Sequence, residues 1–411
     1  MVDVLIIGGG ASGLVAAIAA ARTGASVQII ERMNKIGKKI LATGNGKCNY
    51  TNAVITDEDY RSNDMEICHQ VLSGFSSGDV VEFFETLGIY PKDKNGYIYP
   101  TSEQASSMVE VLRMELKHLK VPVVTDEPVQ SVIKKSSRFV VKTKDNSYSA
   151  KRVVLCTGGK ASKNLGSDGS GYNIAKTLGH TIVSTVPALV GLKCSEKIFK
   201  CLSGVRTQAM ITLYIGQKYQ IRNLGEVQLT NYGVSGIPTF QISRYAAYGL
   251  AKKKNVEVEL DFLPNMEENE VFDLLIKRIR DNPQRQPEYF FVGLLNDKLG
   301  AAIYRCSNAK SVKRVDALSL EDIKGLVKSI KRFRATVVDT NGFENAQVTA
   351  GGVSLKQIDP ETMESTMVPG FYMAGELLDV DGVCGGYNLH WAWVTGHIAG
   401  TSAGKAANDK D

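Results

Sequence analysis

The sequence predicts an α/β fold divided into two or three domains, and three observations predict it. An apolar run, a glycine-rich turn, an alanine-rich run and a second apolar run follow one another across residues 2–32. Short apolar runs ending in small residues recur at 152–159 and at 369–375. Between about 190 and 345 the pattern changes to alternating strand-like segments followed by helical ones. A chain of 411 residues also exceeds what one ordinary core organises.

Composition excludes several classes. Apolar residues make up 43% and charged residues 22%, the balance of a water-soluble globular protein. No run of eighteen apolar residues is present, so no spanning helix and no membrane partner are expected. The opening MVDVLIIGGG lacks the basic and long apolar regions of a signal peptide, so the expected location is cytoplasmic. The seven cysteines are then expected as reduced thiols. They form no C-x-x-C pair, and neither Cys nor His has zinc-ligand spacing, so no metal is expected. The net charge of +6 is mild, and the clusters KKIL, KKSSR, AKKK and KSIKR read as solvated faces, so no nucleic-acid partner is expected.

The first element is the most informative. VDVLII reads as a buried strand that ends in Gly8-x-Gly10-x-x-Gly13, followed by a helical run to Gly24 and a second strand, SVQII, that ends at Glu31. Gly8 allows the tight turn, Gly10 lets a pyrophosphate approach the backbone, and Gly13 lets helix and strand pack closely. The helix N-terminus offers unpaired N–H groups to the phosphates. Glu31 suits a ribose diol and would repel a 2′-phosphate. A bound ADP-ribose moiety is expected; the bland alternative is a turn used only for packing. This unit does not separate FAD from NAD.

The second element is GKKILATGNGKCNYTN at 37–52, too polar and too rich in Gly and Asn for a core strand. It brings Lys38, Lys39 and Lys47 beside a permissive backbone, Gly44, Asn45 and Gly46, with Cys48, Asn49 and Asn52 following. That composition suits an extended contact with a long anionic cofactor, against a plain solvated loop. The third element, RVVLCTGG, is a strand feeding Thr157, Gly158 and Gly159, which places bare backbone at the sheet edge where ligands of open α/β sheets sit. The segment before it reads as an antiparallel meander. After it, Asp168 stands near the start of a helix, as a cap or a ligand contact.

With these elements in order, the chain resembles the glutathione-reductase-like FAD superfamily. More narrowly, it resembles the bacterial flavoprotein family that contains aminoacetone oxidases and bile-acid enone reductases. GKKILATGNGKCNYTN, GSDGSGYNIAKTLGH, GEVQLTNYGVSGIP, AQVTAGGV and GELLDVDGVCGGYNLHWAW carry the resemblance, from residue 2 to about 400. It implies a discontinuous Rossmann-like FAD-binding domain, residues 1–190 and 346–411. It also implies an inserted β-barrel-like domain at 191–265 and 333–345, which carries a small helical subdomain at 266–332. Beyond the residues above, it implies FAD contacts from Ala11, Ser12, Arg32, Val129, Gly375, Glu376 and Asp379. The GGYN stretch, through the backbone of Gly386, Tyr387, Asn388 and Leu389, is expected to hold the pyrimidine edge of the flavin. Trp391 and Trp393 read as packing residues, because positions two apart cannot share a helix face. Three residues depart from the family wording: Asn231 for a His, Ile237 within a Gly-Pro step, and His390 for a Gln.

The missing C-x-x-C argues against disulfide reduction. Cys384, beside GGYN, is the thiol placed to act near the ring, against a packing role. Tyr387 and Tyr232 are the candidate proton donors for a conjugated double bond. No second dinucleotide fingerprint is found, so NAD(P)H is expected only as a transient electron donor. The expected activity is FAD-dependent reduction of a conjugated C=C bond, an enone of the steroid or bile-acid kind, in a small molecule. The alternatives are an amine oxidase using O2, and an electron-transfer or RNA-acting flavoprotein.

Overall fold

The computed structural model describes residues 1–307, 309 and 312–408. Residues 308, 310 and 311 of the expected helical subdomain, and 409–411 of the expected C-terminal part, lie outside the described residues. Contacts divide the chain into two units, Met1–Val186 with Gln347–Asp411, and Pro187–Ala346.

In the first unit, the apolar run Val2–Ile7 forms a strand whose last four residues are fully buried. A strand stretch buried on both faces must be apolar, as Val4–Ile7 is; the one charged residue, Asp3, lies at the half-buried start of the strand. The sheet order is Val123–Val124, Val27–Ile30, Val2–Ile7, Ser147–Leu155, Phe139–Lys142, Ser131–Lys134, with Phe371–Met373 also on Ser147–Leu155. Ser147–Leu155 is the pivot. Its first half pairs antiparallel with Phe139–Lys142, completing the meander, while Val153–Leu155 pairs parallel with Phe371–Met373. The C-terminal segment thereby returns to the N-terminal sheet.

Two helices cover one another on this sheet. Ala11–Arg22 is rich in alanine, and the long helix Tyr387–Asn408 carries Gly396, Gly400 and Gly404 at every fourth position. A Cβ on Gly396 would lie 2.4 Å from Ser12 O, one on Gly400 2.1 Å from Ala16 O, and one on Gly404 2.9 Å from Ala20 O. Small residues on both partners therefore set the close approach. Because residue numbers rise together along the contact, the helices run parallel and their N-termini face the same way.

Residues 53–122 add the helices Met65–Ser73, Ser77–Thr86 and Ala105–His118, and a hairpin of Pro91–Lys94 with Tyr97–Pro100. Thr51–Asn52 joins that hairpin as a third strand.

In the second unit, strands pair in the order Leu192–Cys194, Gly233–Ser235, Lys218–Thr230, Arg206–Ile215, Val256–Asp261, Phe333–Thr340, and the last pairs back onto the first, closing a barrel. Helices Glu268–Asp281, Asp297–Cys306 and Leu320–Lys331 follow in the stretch that reads as helical. Residues 191–263 read as strands, yet Ile237–Ala251 is a fifteen-residue helix. Its buried positions include Thr239, Ser243 and Gly249, so it has no clean apolar stripe to betray it. Pro238 starts it without cost, since the first helical turn needs no N–H there.

Candidate functional site

The pyrophosphate end of the candidate site forms where Val2–Ile7 meets helix Ala11–Arg22. Gly8 has φ +107, and a Cβ there would sit 2.4 Å from Cys156 O. Gly13 is pressed onto Gly8 O, where a Cβ would be 1.9 Å away. Around Gly10 there is nothing within 4 Å, so this backbone faces open space, as close approach of a phosphate requires. Ala11 and Ser12 open the helix, with Ser12 buried. Glu31 is buried; its carboxylate accepts from Gly9 N at 2.6 Å and from Met33 N at 2.7 Å. Two backbone donors therefore aim this acid. Glu127 N bonds to Glu31 O, which brings the segment leading to half-buried Val129 alongside.

The ring end is assembled from segments more than three hundred residues apart. Asn52 Nδ2 donates to Gly385 O at 3.1 Å, and Trp393 Nε1 to Tyr50 O at 2.9 Å. Thr51 Oγ1 and His390 Nδ1 share a hydrogen bond of 2.9 Å, both residues buried. Burial pushes the His390 imidazole down to about 4, so it is neutral at physiological pH. Asn388 clamps Gly382, accepting from its N and donating to its O, each at 2.8 Å. Gly386 has φ +95 and lies against Thr51 O and Asn49 Oδ1, where a Cβ would come within 2.7 and 2.9 Å. The helix begins at Tyr387, and the first turn from Gly386 to Leu389 presents N–H groups that no preceding turn can accept.

Three observations test the fit of a long dinucleotide. Among the described residues, the buried Asn49 Oδ1 at the ring end and Thr157 Oγ1 at the sheet edge have no hydrogen-bond partner. Such orphaned acceptors and hydroxyls call for a polar ligand. The backbone from Gly44 to Cys48 holds left-handed residues, with Gly44 at φ 54, Asn45 at 53, Gly46 at 82 and Cys48 at 58. Last, the parallel helices offset their N-termini. Measured from the shared contact of Gly396 with Ser12, the C-terminal helix extends eight residues further, about 12 Å at 1.5 Å per residue. The residues present fit FAD.

Several expected contacts are otherwise engaged. Lys39 Nζ pairs with Glu376 at 2.5 Å and donates to Ala161 O, and Glu376 also accepts from Thr349 N. Lys47 pairs with Glu103 at 3.1 Å, away from the glycine fingerprint, while Lys38 stays half-buried. Arg32 pairs with Asp168, which also accepts from Ser170 N at 3.0 Å. Burial raises the Asp168 carboxyl, but Arg32 and Ser170 outweigh it and hold it low. The cap residue itself is Gly169 at φ 80, so Asp168 secures the helix start from one position earlier. Gly158 has φ +69, and Gly159 lies against Thr349 and Glu376. Gly375 has φ +78 and sits on Ser12, and buried Asp379 accepts from Asn63 N at 3.2 Å.

The candidate catalytic groups fall in different places. Burial pushes the Cys384 thiol up to about 12, so it is no thiolate at neutral pH and the packing role is favoured. Tyr387 is raised to about 12 by burial and by Asp59; its hydroxyl reaches Val54 O at 3.4 Å. Tyr232 belongs to the second unit, in the turn between Lys218–Thr230 and Gly233–Ser235. Both tryptophans are buried on different faces, Trp391 donating to Gly375 O at 3.2 Å and Trp393 packing on Phe84. Sequence reasoning missed His390, Thr51 and Tyr60, whose hydroxyl donates to Tyr387 O at 3.0 Å. Their partners are distant in sequence; only the unusual His390 gave a signal.

Fold and site together define an FAD-dependent oxidoreductase. The chain belongs to the HI0933-like family, whose Rossmann-domain model matches residues 2–402. It is 45% identical over 400 residues to a 3-dehydro-bile acid delta(4,6)-reductase of Clostridium scindens, covering 97% of this chain and 98% of that protein. It is 30% identical over 405 residues to a ribosomal RNA dihydrouridine synthase of Haemophilus influenzae, covering 97% of each. Among solved structures, the 3-ketosteroid delta1-dehydrogenase of Sterolibacterium denitrificans shares the fold, with 14% identity, a TM-score of 0.52, and coverage of 98% of this chain and 99% of that one. No helix among the described residues is long and apolar enough to cross a membrane.

Proposed function

We propose that this protein reduces a carbon–carbon double bond conjugated to a carbonyl in a flat, mostly apolar small molecule, with NAD(P)H as a transient electron donor. The observation that carries the reading is the seating of helix Tyr387–Asn408 on Asn49–Asn52, which builds a ring-binding end opposite the pyrophosphate end. The balance is simple: NAD(P)H and one proton are consumed, and the substrate gains two hydrogens. When bound, FAD supplies the two-electron relay between donor and substrate. The chain's residues do the rest. Glu31 takes the ribose diol, with Arg32 and Val129 nearby, and Gly8, Gly10, Ala11, Ser12 and Gly13 cradle the phosphates. Thr157, Gly158, Gly375 and Asp379 line the path between the ends, while Lys39, Gly159 and Glu376 brace it. Gly386–Leu389 would direct N–H groups and the positive helix end at the ring's pyrimidine edge, favouring negative charge there. We assign the proton donor to Tyr387; a phenol held protonated at neutral pH can give a proton. The name of the 45% relative, a bile-acid reductase, supports a steroid-like enone as substrate.

The test is anaerobic mixing of the yellow protein with NADH or NADPH, then with a 3-oxo-4-ene steroid acid. The flavin should bleach, the steroid should restore its colour, and the product should weigh two hydrogens more. A flavin that neither donor bleaches, or that only an amine substrate bleaches and O2 restores, contradicts it.

A second reading, reduction of a base in RNA, is supported by the name of the 30% relative and by charge. Residues 187–346 hold 24 Lys and Arg against 17 Asp and Glu, so the second unit carries an excess of +7 while the whole chain carries +6. Salt-sensitive binding of ribosomal RNA fragments would favour it.

A further inference from the structure

The hairpin of Pro91–Lys94 and Tyr97–Pro100 carries a face that the flavin site does not use. Its register sets Lys92 opposite Tyr99 and Lys94 opposite Tyr97, so two lysines and two tyrosines project from one side. Lys94 Nζ lies 5.5 Å from the Tyr99 ring centroid. Lys47 arrives from the 37–52 segment, and all three lysines converge on Glu103, with Lys47 at 3.1 Å and Lys92 at 2.6 Å. One carboxylate cannot neutralise three ammonium groups, so two positive charges remain. The lysine side chains are 50, 44 and 39% exposed, and Tyr97 is 42% exposed, so the face is open to a ligand. Asp93, an acid within the hairpin itself, accepts from Gly96 N and sits on the opposite side of the pleat.

The position of this face gives it meaning. Tyr97 borders the ring end directly: a Cβ on Gly385 would lie 3.1 Å from its ring. Tyr99 borders Gly44 in the same way, at 3.5 Å. Flat aromatic surface therefore runs outward from the ring end and finishes in uncompensated positive charge. We infer that Lys47, Lys92 and Lys94, with Tyr97 and Tyr99, form a substrate subsite that takes the carboxylate tail of a flat apolar acid whose opposite end reaches the flavin. This rests on the small-molecule reading above and adds to it a requirement that the substrate be an anion. Glu103 competes with that carboxylate for the lysines, so it sets the affinity of the subsite.

The test uses the FAD-loaded protein and four probes: a 3-oxo-4-ene steroid acid, its methyl ester, NADP+ and a ribosomal RNA fragment. Binding is read from the change in flavin absorbance, which needs no turnover. The Lys92→Gln/Lys94→Gln variant should keep its flavin content, bind the acid at least tenfold more weakly, and bind the ester as the unaltered protein does. Glu103→Gln should bind the acid several-fold more tightly, in the opposite direction. Equal losses for acid and ester overturn the inference, as does a loss confined to NADP+, which would make the face a donor site. Loss of RNA binding with the acid unaffected overturns it in favour of a nucleic-acid face, and an acid that never perturbs the flavin overturns it outright. If the acid binds as expected but is never reduced, the subsite stands and the enone-reductase reading falls.

Discussion

The pyrophosphate end and the ring end of the site are built in opposite ways. The first is local: Gly8, Gly10, Gly13 and Glu31 lie within one strand–helix–strand unit, where Gly13 packs on Gly8 and Glu31 accepts from Gly9 N, 22 residues away. The second joins Asn49–Asn52 to Gly385–Trp393 through hydrogen bonds spanning 333 to 343 residues. A local site forms with its own secondary structure, whereas an assembled one exists only while the helix Tyr387–Asn408 stays docked. If FAD binds as proposed, ring binding and global packing share one support, and phosphate binding does not need all of it.

The largest expected effect comes from breaking that support. Gly400→Val places side-chain atoms where a Cβ alone would lie 2.1 Å from Ala16 O, a backbone atom that cannot yield. Overpacking of this kind costs roughly 1–3 kcal/mol or more, and the variant should lose stability and flavin together. Gly10→Ala is its counterpart, because Gly10 has φ −85 and open space around it. Its unfolding midpoint should stay within about 0.5 kcal/mol of the parent, yet FAD binding should fall. Urea unfolding and flavin content, measured on both, check the contrast; equal behaviour of the two removes it.

Next comes Glu31→Ala. The expected tenfold to hundredfold loss of FAD affinity follows from removing a charged acceptor worth about 1.5–3 kcal/mol. The structure adds a second cost, because the amides of Gly9 and Met33 lose their acceptor. A further roughly 1–3 kcal/mol of stability should go with it, seen in the apoprotein's denaturation curve. Unchanged flavin retention after dialysis would show that Glu31 does not hold the ribose.

The sequence made the local end readable because periodicity and glycine spacing report on backbone within one unit. Gly385–Leu389 was readable only by its permissive composition and by resemblance; that Asn52 and Thr51 stand against Gly385 and Gly386 leaves no mark in the chain. The same limit explains Lys39 and Lys47. Their charge suggested a cofactor contact, but charge does not reveal that Glu376 and Glu103 stand opposite. Helix Ile237–Ala251 escaped for another reason: its buried face contains Thr239 and Ser243, so hydrophobic periodicity had nothing to count. The hairpin at 91–100 was unread as well, since its Lys–Tyr pairing depends on register, which a turn sets and composition does not.

A finer effect concerns pH. The unfolded chain protonates His390 near 6.5, while burial holds off protonation in the folded protein to about 4. Stability from this residue is therefore complete above 6.5 and declines as pH falls toward 4. The decline amounts to about 3 kcal/mol, from about 1.4 kcal/mol per pKa unit. His390→Gln retains a partner for Thr51 without titrating, so its stability should stay flat over that window. Urea midpoints at several pH values decide the point; parallel slopes for both proteins would remove His390 from the account.

One ligand gripped at two separable ends should respond at one end only when Asn52 is replaced by Leu. Asn52 ties its strand to Gly385 and touches neither Gly8–Gly13 nor Glu31. Isothermal titration of the apoprotein with ADP and with FAD gives the affinity of the phosphate end alone and of both ends together. ADP should bind the variant as it binds the parent, while FAD should lose most of its advantage over ADP. If FAD keeps its full advantage in Asn52→Leu, or if ADP and FAD weaken by the same factor, the two-ended site is contradicted.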